Sequence, residues 1–171
     1  KEERQTRQQQ FRSNYGTAIA SITVNIPGAV KDSSVIRQLC DYAILTLQSR
    51  LDMVAAERLN TAVGPFALLA VKNSAPELKA MAVALEEEQS FGRLLDIDVF
   101  DADGNQLSRQ ATGGYRLCFV CDRPAVVCMR ERRHQPEEIQ TAVQELIRQF
   151  LAFQTRFVSL LAETIGSFAV E

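Results

Sequence analysis

Four aspartates lie close together in the stretch GRLLDIDVFDADGN, which runs from Gly92 to Asn105. If the apolar residues of this stretch form a β-strand, Asp96 and Asp98 point to the same face, about 6.5–7 Å apart. Two carboxylates at that spacing can hold Mg²⁺, which prefers oxygen ligands and commonly bridges to phosphates. The same D-x-D pattern also occurs on the solvated face of an ordinary strand, so the pattern alone leaves both interpretations open.

The other two aspartates, Asp101 and Asp103, belong to the turn-forming segment DADGN. Asp, Gly and Asn tolerate the backbone angles of tight turns, so we expect these carboxylates to bond their own backbone. The segment is not an EF-hand loop, because Val99 breaks the D-x-D-x-D-G register and no glutamate closes the loop.

A second group of reactive side chains lies in CFVCDRPAVVCMRERRH, with the spacing C-x2-C-x6-C-x5-H. The first cysteine pair matches a zinc knuckle, and three cysteines with one histidine are an accepted structural zinc set. The predicted Zn²⁺ ligands are Cys118, Cys121, Cys128 and His134. The alternative is three partly buried thiols and a histidine at a helix start. Clustered cysteines also favour a reducing compartment over a disulfide scaffold.

Basic residues stand just before the last predicted helix. Arginine forks and the unpaired N–H groups of a helix N-terminus together form an anion site, and solvated surface charge is the alternative. The residues are Arg130, Arg132, Arg133 and His134.

Composition limits the classes of protein that fit. The 171 residues are 46% hydrophobic and 23% charged, as in one globular domain with a real core. The net charge of −2 gives no bulk basic field, so we expect no nucleic-acid partner. No apolar run approaches the roughly 18–20 residues that span a bilayer, and the opening KEERQTRQQQ lacks the apolar segment of a signal peptide. We therefore expect a cytoplasmic protein without a membrane partner.

Hydrophobic periodicity and turn residues predict alternating helices and strands. A polar N-terminal helix over residues 1–12 places Arg4 and Arg7 on one face with Phe11. The next predicted elements are a strand over Thr17–Ile26, a helix from the Lys31–Ser34 cap region to Leu51, and a strand pair over Arg58–Val71 that turns at Gly64-Pro65.

Ser74-Ala75-Pro76-Glu77 matches the S-x-x-E capping box and predicts a helix that ends near Glu88. The D-x-D strand follows over Leu94–Phe100, and we expect Gln106–Gln110 to return beside it as a partner strand. The expected core residues of the helix are Leu78, Met81, Ala82 and Leu85.

The C-terminal helix is predicted to be long and to begin near Pro136, with Glu137 and Glu138 in its favourable first turn. An apolar seam along it indicates packing against the sheet or another helix, and a dimer seam is the minor alternative. Together the elements predict one α+β domain over residues 1–171, with a mostly antiparallel sheet packed by helices. The seam consists of Ile139, Val143, Leu146, Phe150, Phe153, Phe157 and Leu160.

Several blocks combine in one order: EERQTRQ, PGAVKDSSVIRQL, GRLLDIDV with GNQLSR, and R-L-C-x2-C-x6-C-x5-H. With these blocks the chain resembles the CitX family, holo-citrate-lyase acyl-carrier-protein synthase, also called apo-citrate lyase phosphoribosyl-dephospho-CoA transferase. The resemblance covers nearly the whole chain and is more specific than any single motif.

The resemblance implies a nucleotidyl-type transferase. Such enzymes move phosphoribosyl-dephospho-CoA from triphosphoribosyl-dephospho-CoA to a serine of the acyl-carrier (gamma) subunit of citrate lyase, and diphosphate leaves. Asp96 and Asp98 are then expected to hold Mg²⁺, with Arg93 beside them at the catalytic centre and an aspartate as a candidate base for the serine proton. The expected phosphate-binding residues are Lys31, Asp32, Ser33, Arg37, Arg109, Arg130, Arg133 and His134.

The chain departs from the family pattern just before the D-x-D strand. H-P-L-G-R or a close variant is common there, whereas this chain has Gln89-Ser90-Phe91-Gly92-Arg93, and its single histidine is His134. If a histidine base normally stands at that place, another group serves here. Other functions stay open: a non-catalytic module that binds the carrier protein, a zinc-stabilised interaction domain, or a nucleotidyltransferase for another carrier, such as that of malonate decarboxylase.

Overall fold

The structure is a computed structural model that describes the backbone of residues 2–109 and 114–167 and the side chains of residues 4–109 and 114–156. Its strands are β1 (Ala18–Val24), β2 (Met53–Thr61), β3 (Gly64–Val71) and β4 (Leu95–Phe100). Its helices are α1 (Glu2–Tyr15), α2 (Ser34–Gln48), α3 (Ala75–Glu88), α4 (Ala125–Glu131) and α5 (Pro136–Ser167), with a 3₁₀ helix over Ser90–Leu94. All strand pairs are antiparallel, in the order β2-β3-β1-β4, which confirms the predicted α+β class.

Helices cover both faces of this sheet, and the core is correspondingly divided. On one face, α2, α3 and α5 pack against alternate strand residues such as Ile22 and Ile97. On the other face, Phe11 of α1 packs with Ile19 and Leu68. Because successive strand residues point to opposite faces, a strand covered on both sides is apolar throughout, as β3 is.

The β2–β3 hairpin differs from the prediction. Strand β2 begins at Met53 rather than Arg58, and the chain turns at residues 62–63, so that Gly64 and Pro65 already belong to β3. The predicted turn at Gly64-Pro65 is therefore wrong. Alanine is depleted in strands, so the alanines at residues 55 and 56 hide the start of β2 in the sequence.

Helix α3 begins with the predicted capping box. The Ser74 N–H donates to Glu77 Oε2 at 2.9 Å, and the Glu77 N–H donates to Ser74 Oγ at 3.4 Å. The expectation that Met81 faces the core is wrong, because Met81 is 37% exposed. The helix is rotated so that Lys79 and Glu86, rather than Met81, face the edge of the sheet.

Helix α5 packs within the domain through its seam, and Phe150 and Phe153 meet the rings of Tyr42 and Phe91. The side chains of Phe157 and Leu160 lie outside the described residues, so the dimer alternative stays a prediction. None of the described helices, α5 included, has the length and apolar composition needed to cross a bilayer. The seam residues packed into the core are Ile139, Val143, Leu146, Phe150 and Phe153.

The predicted partner strand of β4 is reduced to a single bridge, between Phe100 and Gln106. The Leu107 N–H donates to the Val99 carbonyl at 2.8 Å, after which the pairing ends. Gln110 lies outside the described residues. A strand over residues 106–109 is wrong because side chains of α3 occupy the open edge of β4 instead.

Candidate active site and cysteine–histidine cluster

Strand β4 carries Asp96 and Asp98 at the edge of the sheet. Its residues alternate strictly between buried apolar and half-exposed, so the two carboxylates face the same way, as predicted. Their partners on β1 are Thr23 and Ser21. The carboxylates therefore lie next to two hydroxyl-bearing residues of β1.

Two charged side chains of α3 hydrogen-bond backbone groups at the unpaired edge of β4. The Ile97 N–H donates to Glu86 Oε1 at 2.9 Å, and Lys79 Nζ donates to the Ile97 carbonyl at 3.4 Å. Lys79 and Glu86 are 6% and 5% exposed. An edge strand with unpaired backbone groups invites pairing with other chains, and these side chains occupy that edge as a further strand would.

Glu86 also links two arginines to the carboxylate pair. Its Oε2 accepts a hydrogen bond from Arg109, and its Oε1 accepts one from Arg116 Nη2 at 2.8 Å. The same Arg116 Nη2 lies 3.1 Å from Asp96 Oδ1. Burial raises the pKa of Glu86, and Arg116, the Ile97 N–H and Arg109 oppose that rise. Opposite charges thus alternate from Glu86 of α3 through Arg116 to Asp96 of β4.

Asp98 has the environment of a proton acceptor. Gln106 Nε2 donates to Asp98 Oδ1 at 2.7 Å. Burial, and then the nearby charge of Asp96, raise the pKa of Asp98 above the usual 3.8, while Lys79 and Gln106 partly offset the rise. A carboxylate with a raised pKa accepts protons more readily near neutral pH, and a cation between the two aspartates would relieve their repulsion.

Two adjoining cavities open beside these groups. The first has a volume of about 490 Å³ and is lined by both Asp96 and Asp98. The second, of about 430 Å³, is lined by Arg93, whose buried Nε and Nη2 have no hydrogen-bond partner among the described residues. Both volumes fall within the range of small-molecule sites. The residues shared by the two linings are Glu86, Arg109, Tyr115 and Arg116.

The predicted phosphate-binding residues just before α2 and in its first turn have local partners and line neither cavity. Lys31 Nζ donates to a backbone carbonyl at 2.5 Å. Arg37 donates twice to Asp32, at 2.8 and 2.5 Å, and this lowers the pKa of Asp32. Ser33 caps α2 by accepting a backbone N–H at 3.4 Å. These contacts organise the start of α2, and a phosphate role for the four residues stays a prediction.

Arg130 and Arg133 also lie outside the linings of the two cavities. Both are exposed, and Arg133 Nη1 is 3.9 Å from Glu131 Oε2. The structure therefore places Arg109 in the cavity of the carboxylate pair and Arg93 in the adjoining one, but does not bring Arg130 and Arg133 to either.

The predicted metal-ligand cluster is assembled. Cys121 Sγ lies 3.5 Å from Cys128 Sγ and 3.3 Å from His134 Nε2. Burial opposes ionisation of Cys118, but N–H groups of Val120 and Cys121 bond its sulfur and hold the pKa of Cys118 below its usual value. One potential ligand atom from each of four side chains lies within 4.8 Å of all the others: Cys118, Cys121, Cys128 and His134.

Sequence reasoning missed several polar residues of the cleft, and those with contacts to the carboxylates or to the edge of β4 are Lys79, Glu86, Gln106 and Arg116. A signal for two of them was present, because Lys79 and Glu86 flank apolar residues at a two-turn spacing on the inner side of α3. Gln106 and Arg116 gave no such signal, since their positions depend on the path of the chain after β4.

Carboxylates and guanidinium groups that meet at one cleft are typical of enzymes that handle phosphate-bearing substrates. Over residues 1–150 the chain matches the family described as apo-citrate lyase phosphoribosyl-dephospho-CoA transferase, CitX. The chain therefore belongs to this family of transferases and is an enzyme, in agreement with the resemblance seen in its sequence blocks.

Individual relatives agree with the family match. The chain is 34% identical over 157 residues to the probable apo-citrate lyase phosphoribosyl-dephospho-CoA transferase of Vibrio cholerae serotype O1, with 88% of each protein covered. It is 35% identical over 158 residues to the protein of that name from Streptococcus pyogenes serotype M3, with 88% of this chain and 82% of the relative covered.

Proposed function

We propose that this protein transfers phosphoribosyl-dephospho-CoA from triphosphoribosyl-dephospho-CoA to a serine of the acyl-carrier (gamma) subunit of apo citrate lyase. The serine oxygen forms a bond to the donor phosphorus, the bond from that phosphorus to diphosphate breaks, and the serine proton passes to the protein. The observation that carries the proposal is the meeting of Asp96, Asp98 and Arg116 at one cleft in a chain of this family. With a CoA-derived donor and this acceptor, we propose that the reaction takes place in the cytoplasm.

Asp98 is the proposed base for the serine proton. It is half-buried, and its carboxylate is oriented by Gln106 at 2.7 Å. Its raised pKa favours proton uptake while the site holds no metal; bound Mg²⁺ would lower that pKa, so the base role rests on the position of Asp98 at the wall of the cavity. With Asp98 as the base, no histidine is needed just before the D-x-D strand, because strand β4 itself supplies the base.

The carboxylate pair fits Mg²⁺. Asp96 and Asp98 share one face of β4, and the charge of Asp96 raises the pKa of Asp98, so a divalent cation would lower their repulsion. When bound there, Mg²⁺ would neutralise charge on the transferred phosphate. Arg116, which already contacts Asp96, lies where it can contribute positive charge to the same phosphate.

Arg93 is the proposed anchor for the diphosphate part of the donor. Its buried Nε and Nη2 have no hydrogen-bond partner among the described residues, and Arg93 is one of the residues that line the cavity next to the carboxylates. Buried donors without partners cost free energy, and a phosphate oxygen would satisfy them. Arg109 and Arg116 line both cavities, so the phosphate chain can run from one to the other.

The direct test is the intact mass of purified apo carrier subunit after incubation with this protein, Mg²⁺ and triphosphoribosyl-dephospho-CoA. We expect a gain equal to the donor minus diphosphate, and no gain on a carrier whose acceptor serine is replaced by alanine. An unmodified carrier, under conditions in which an established synthase modifies it, contradicts the proposal. Binding without modification would indicate a carrier-binding module, and modification of the malonate decarboxylase carrier would identify a different acceptor.

A further inference from the structure

The geometry points to a structural Zn²⁺ site that cross-links residues 118–134, the part of the chain just before α5. Tetrahedral Zn²⁺ with Zn–S bonds of about 2.3 Å places two sulfur ligands about 3.8 Å apart, and a sulfur and a nitrogen slightly closer. Cys121 Sγ is 3.5 Å from Cys128 Sγ and 3.3 Å from His134 Nε2, close to these values. The proposed ligands are Cys118, Cys121, Cys128 and His134, whose ligand atoms lie within 4.8 Å of one another.

The first two ligands stand on a backbone turn of the knuckle type. The Cys118 N–H donates to the Arg123 carbonyl at 2.8 Å, and the Ala125 N–H donates to the Arg116 carbonyl at 2.8 Å. Inside this turn, N–H groups bond the sulfur of Cys118, including that of Cys121. The turn therefore holds the Cys118 and Cys121 sulfur atoms within 4.8 Å of each other.

The last two ligands are brought together by a left-handed backbone conformation. Cys128 lies on α4, and the Arg133 N–H donates to its carbonyl at 3.0 Å. Between them Arg132 has φ 48° and ψ 43°, and it is the one residue other than glycine with positive φ in the described part of the chain. A left-handed residue is a common way to end a helix, and here it turns the chain back so that His134 approaches Cys128 and Cys121.

The ligand set indicates a structural rather than a catalytic ion. Four protein ligands complete a tetrahedral zinc shell, whereas catalytic zinc keeps one position for water or substrate. The ion would also act on the cleft at a distance. The turn that presents Cys118 bonds the backbone of Arg116, and Arg116 contacts Asp96. The zinc site would therefore fix the position of one arginine of the cleft without touching the substrate.

Metal content of the full-length protein tests this inference independently of transfer activity. Protein purified from zinc-supplemented cells should contain about one Zn²⁺ per chain by elemental analysis. After removal of metal under reducing conditions, titration with Co²⁺ alone should give thiolate-to-cobalt charge-transfer absorption with a tetrahedral visible spectrum. Added Zn²⁺ should abolish that spectrum. Cys121→Ser should weaken Co²⁺ binding at least tenfold, and Cys40→Ala, which removes a buried cysteine of α2 far from the cluster, should not.

If Cys121→Ser fails to fold, His134→Gln serves in its place, because His134 lies in a half-exposed loop. His134→Gln should retain thiolate-to-cobalt absorption, but its affinity for Co²⁺ should fall at least tenfold because one of the four ligands is missing. Wild-type protein without zinc and without cobalt charge-transfer absorption overturns the inference, as does a cobalt spectrum that neither variant changes. Failure of transfer with normal zinc content would leave the metal site standing and contradict only the proposed function.

Discussion

The carboxylate cleft and the cysteine–histidine cluster gather polar groups in opposite ways. The cluster takes its members from one continuous segment, residues 118–134, and its four potential ligands point at one another. The cleft takes Lys79 and Glu86 from α3, Asp96 and Asp98 from β4, and Arg116 from the following segment. It remains open, with a volume of about 490 Å³. Cys118, Cys128 and His134 also border a cavity, of about 640 Å³, but its lining is mostly apolar, whereas the cleft presents charged side chains from three segments of the chain to a substrate.

The two regions also differ in what shifts the pKa values of their titratable groups. In the cleft, the charge of Asp96 raises the pKa of Asp98 and burial raises that of Glu86, so the groups there are held in unfavourable surroundings. In the cluster, N–H groups hold the pKa of Cys118 below its usual value, whereas burial raises the pKa of Cys128 to about 11. Perturbed groups beside a cavity are typical of active sites.

The largest effect we predict follows from the removal of the proposed base. Asp98→Asn keeps the size of the side chain but loses proton affinity, so carrier modification should slow by about 10²–10⁴-fold. Asp103→Asn, in the turn a few residues later, should leave the rate unchanged. Single-turnover transfer followed by mass spectrometry measures both rates. Equal rates for the two variants would show that Asp98 is not the base.

The next effect is on stability. Glu86→Gln keeps a hydrogen-bond acceptor for Ile97 but leaves Arg109 and Arg116 without their shared carboxylate. Removal of one partner of a buried pair is costly, and since both arginines retain some solvent contact we expect a loss of about 2–4 kcal/mol in unfolding free energy. Glu87→Gln removes an exposed partner of Arg109 and should cost about 0–1 kcal/mol. Urea denaturation distinguishes the two, and equal losses would show that Glu86 is not the organising group.

A smaller effect concerns the anion site. Arg93→Gln should raise the KM for triphosphoribosyl-dephospho-CoA by about tenfold or more, since hydrogen bonds to charged groups contribute about 1.5–3 kcal/mol. Stability should change little, because the buried Nε and Nη2 of Arg93 bond nothing in the described residues. Arg37→Gln is the matched control, because its guanidinium is already bound by Asp32. A larger KM effect for Arg37→Gln would place the triphosphate at α2 instead.

The smallest effect is a pH dependence of stability. The pKa of Asp98 is higher in the folded protein than the usual 3.8, so its protonated form favours folding. Its contribution is fully present below the unfolded pKa and is lost as pH rises through the folded pKa. The difference in unfolding free energy between wild type and Asp98→Asn should therefore shift against wild type as pH rises from about 3 to 7. A difference that is constant with pH would mean that Asp98 titrates normally.

Much of the fold could be predicted from local patterns, because the signals there act over a few residues. The capping box at Ser74, the alternation in β4 and the apolar seam of α5 each predicted an element that the structure contains. The errors arose where the tertiary environment decides. Met81 has the spacing of a core residue, but α3 is oriented by bonds from Lys79 and Glu86 to the edge of β4.

Residue types at short spacings were enough to predict the family, the shared face of Asp96 and Asp98, and the four potential metal ligands. Which cations lie beside the carboxylates depended on how α3 and the segment after β4 pack around them. Arg93, Arg109 and Arg116 line the cavities beside β4, whereas Lys31 and Arg37 have local partners at α2. The physical reason is that charge interactions depend on distance through space and on burial, and neither can be calculated from separation along the chain.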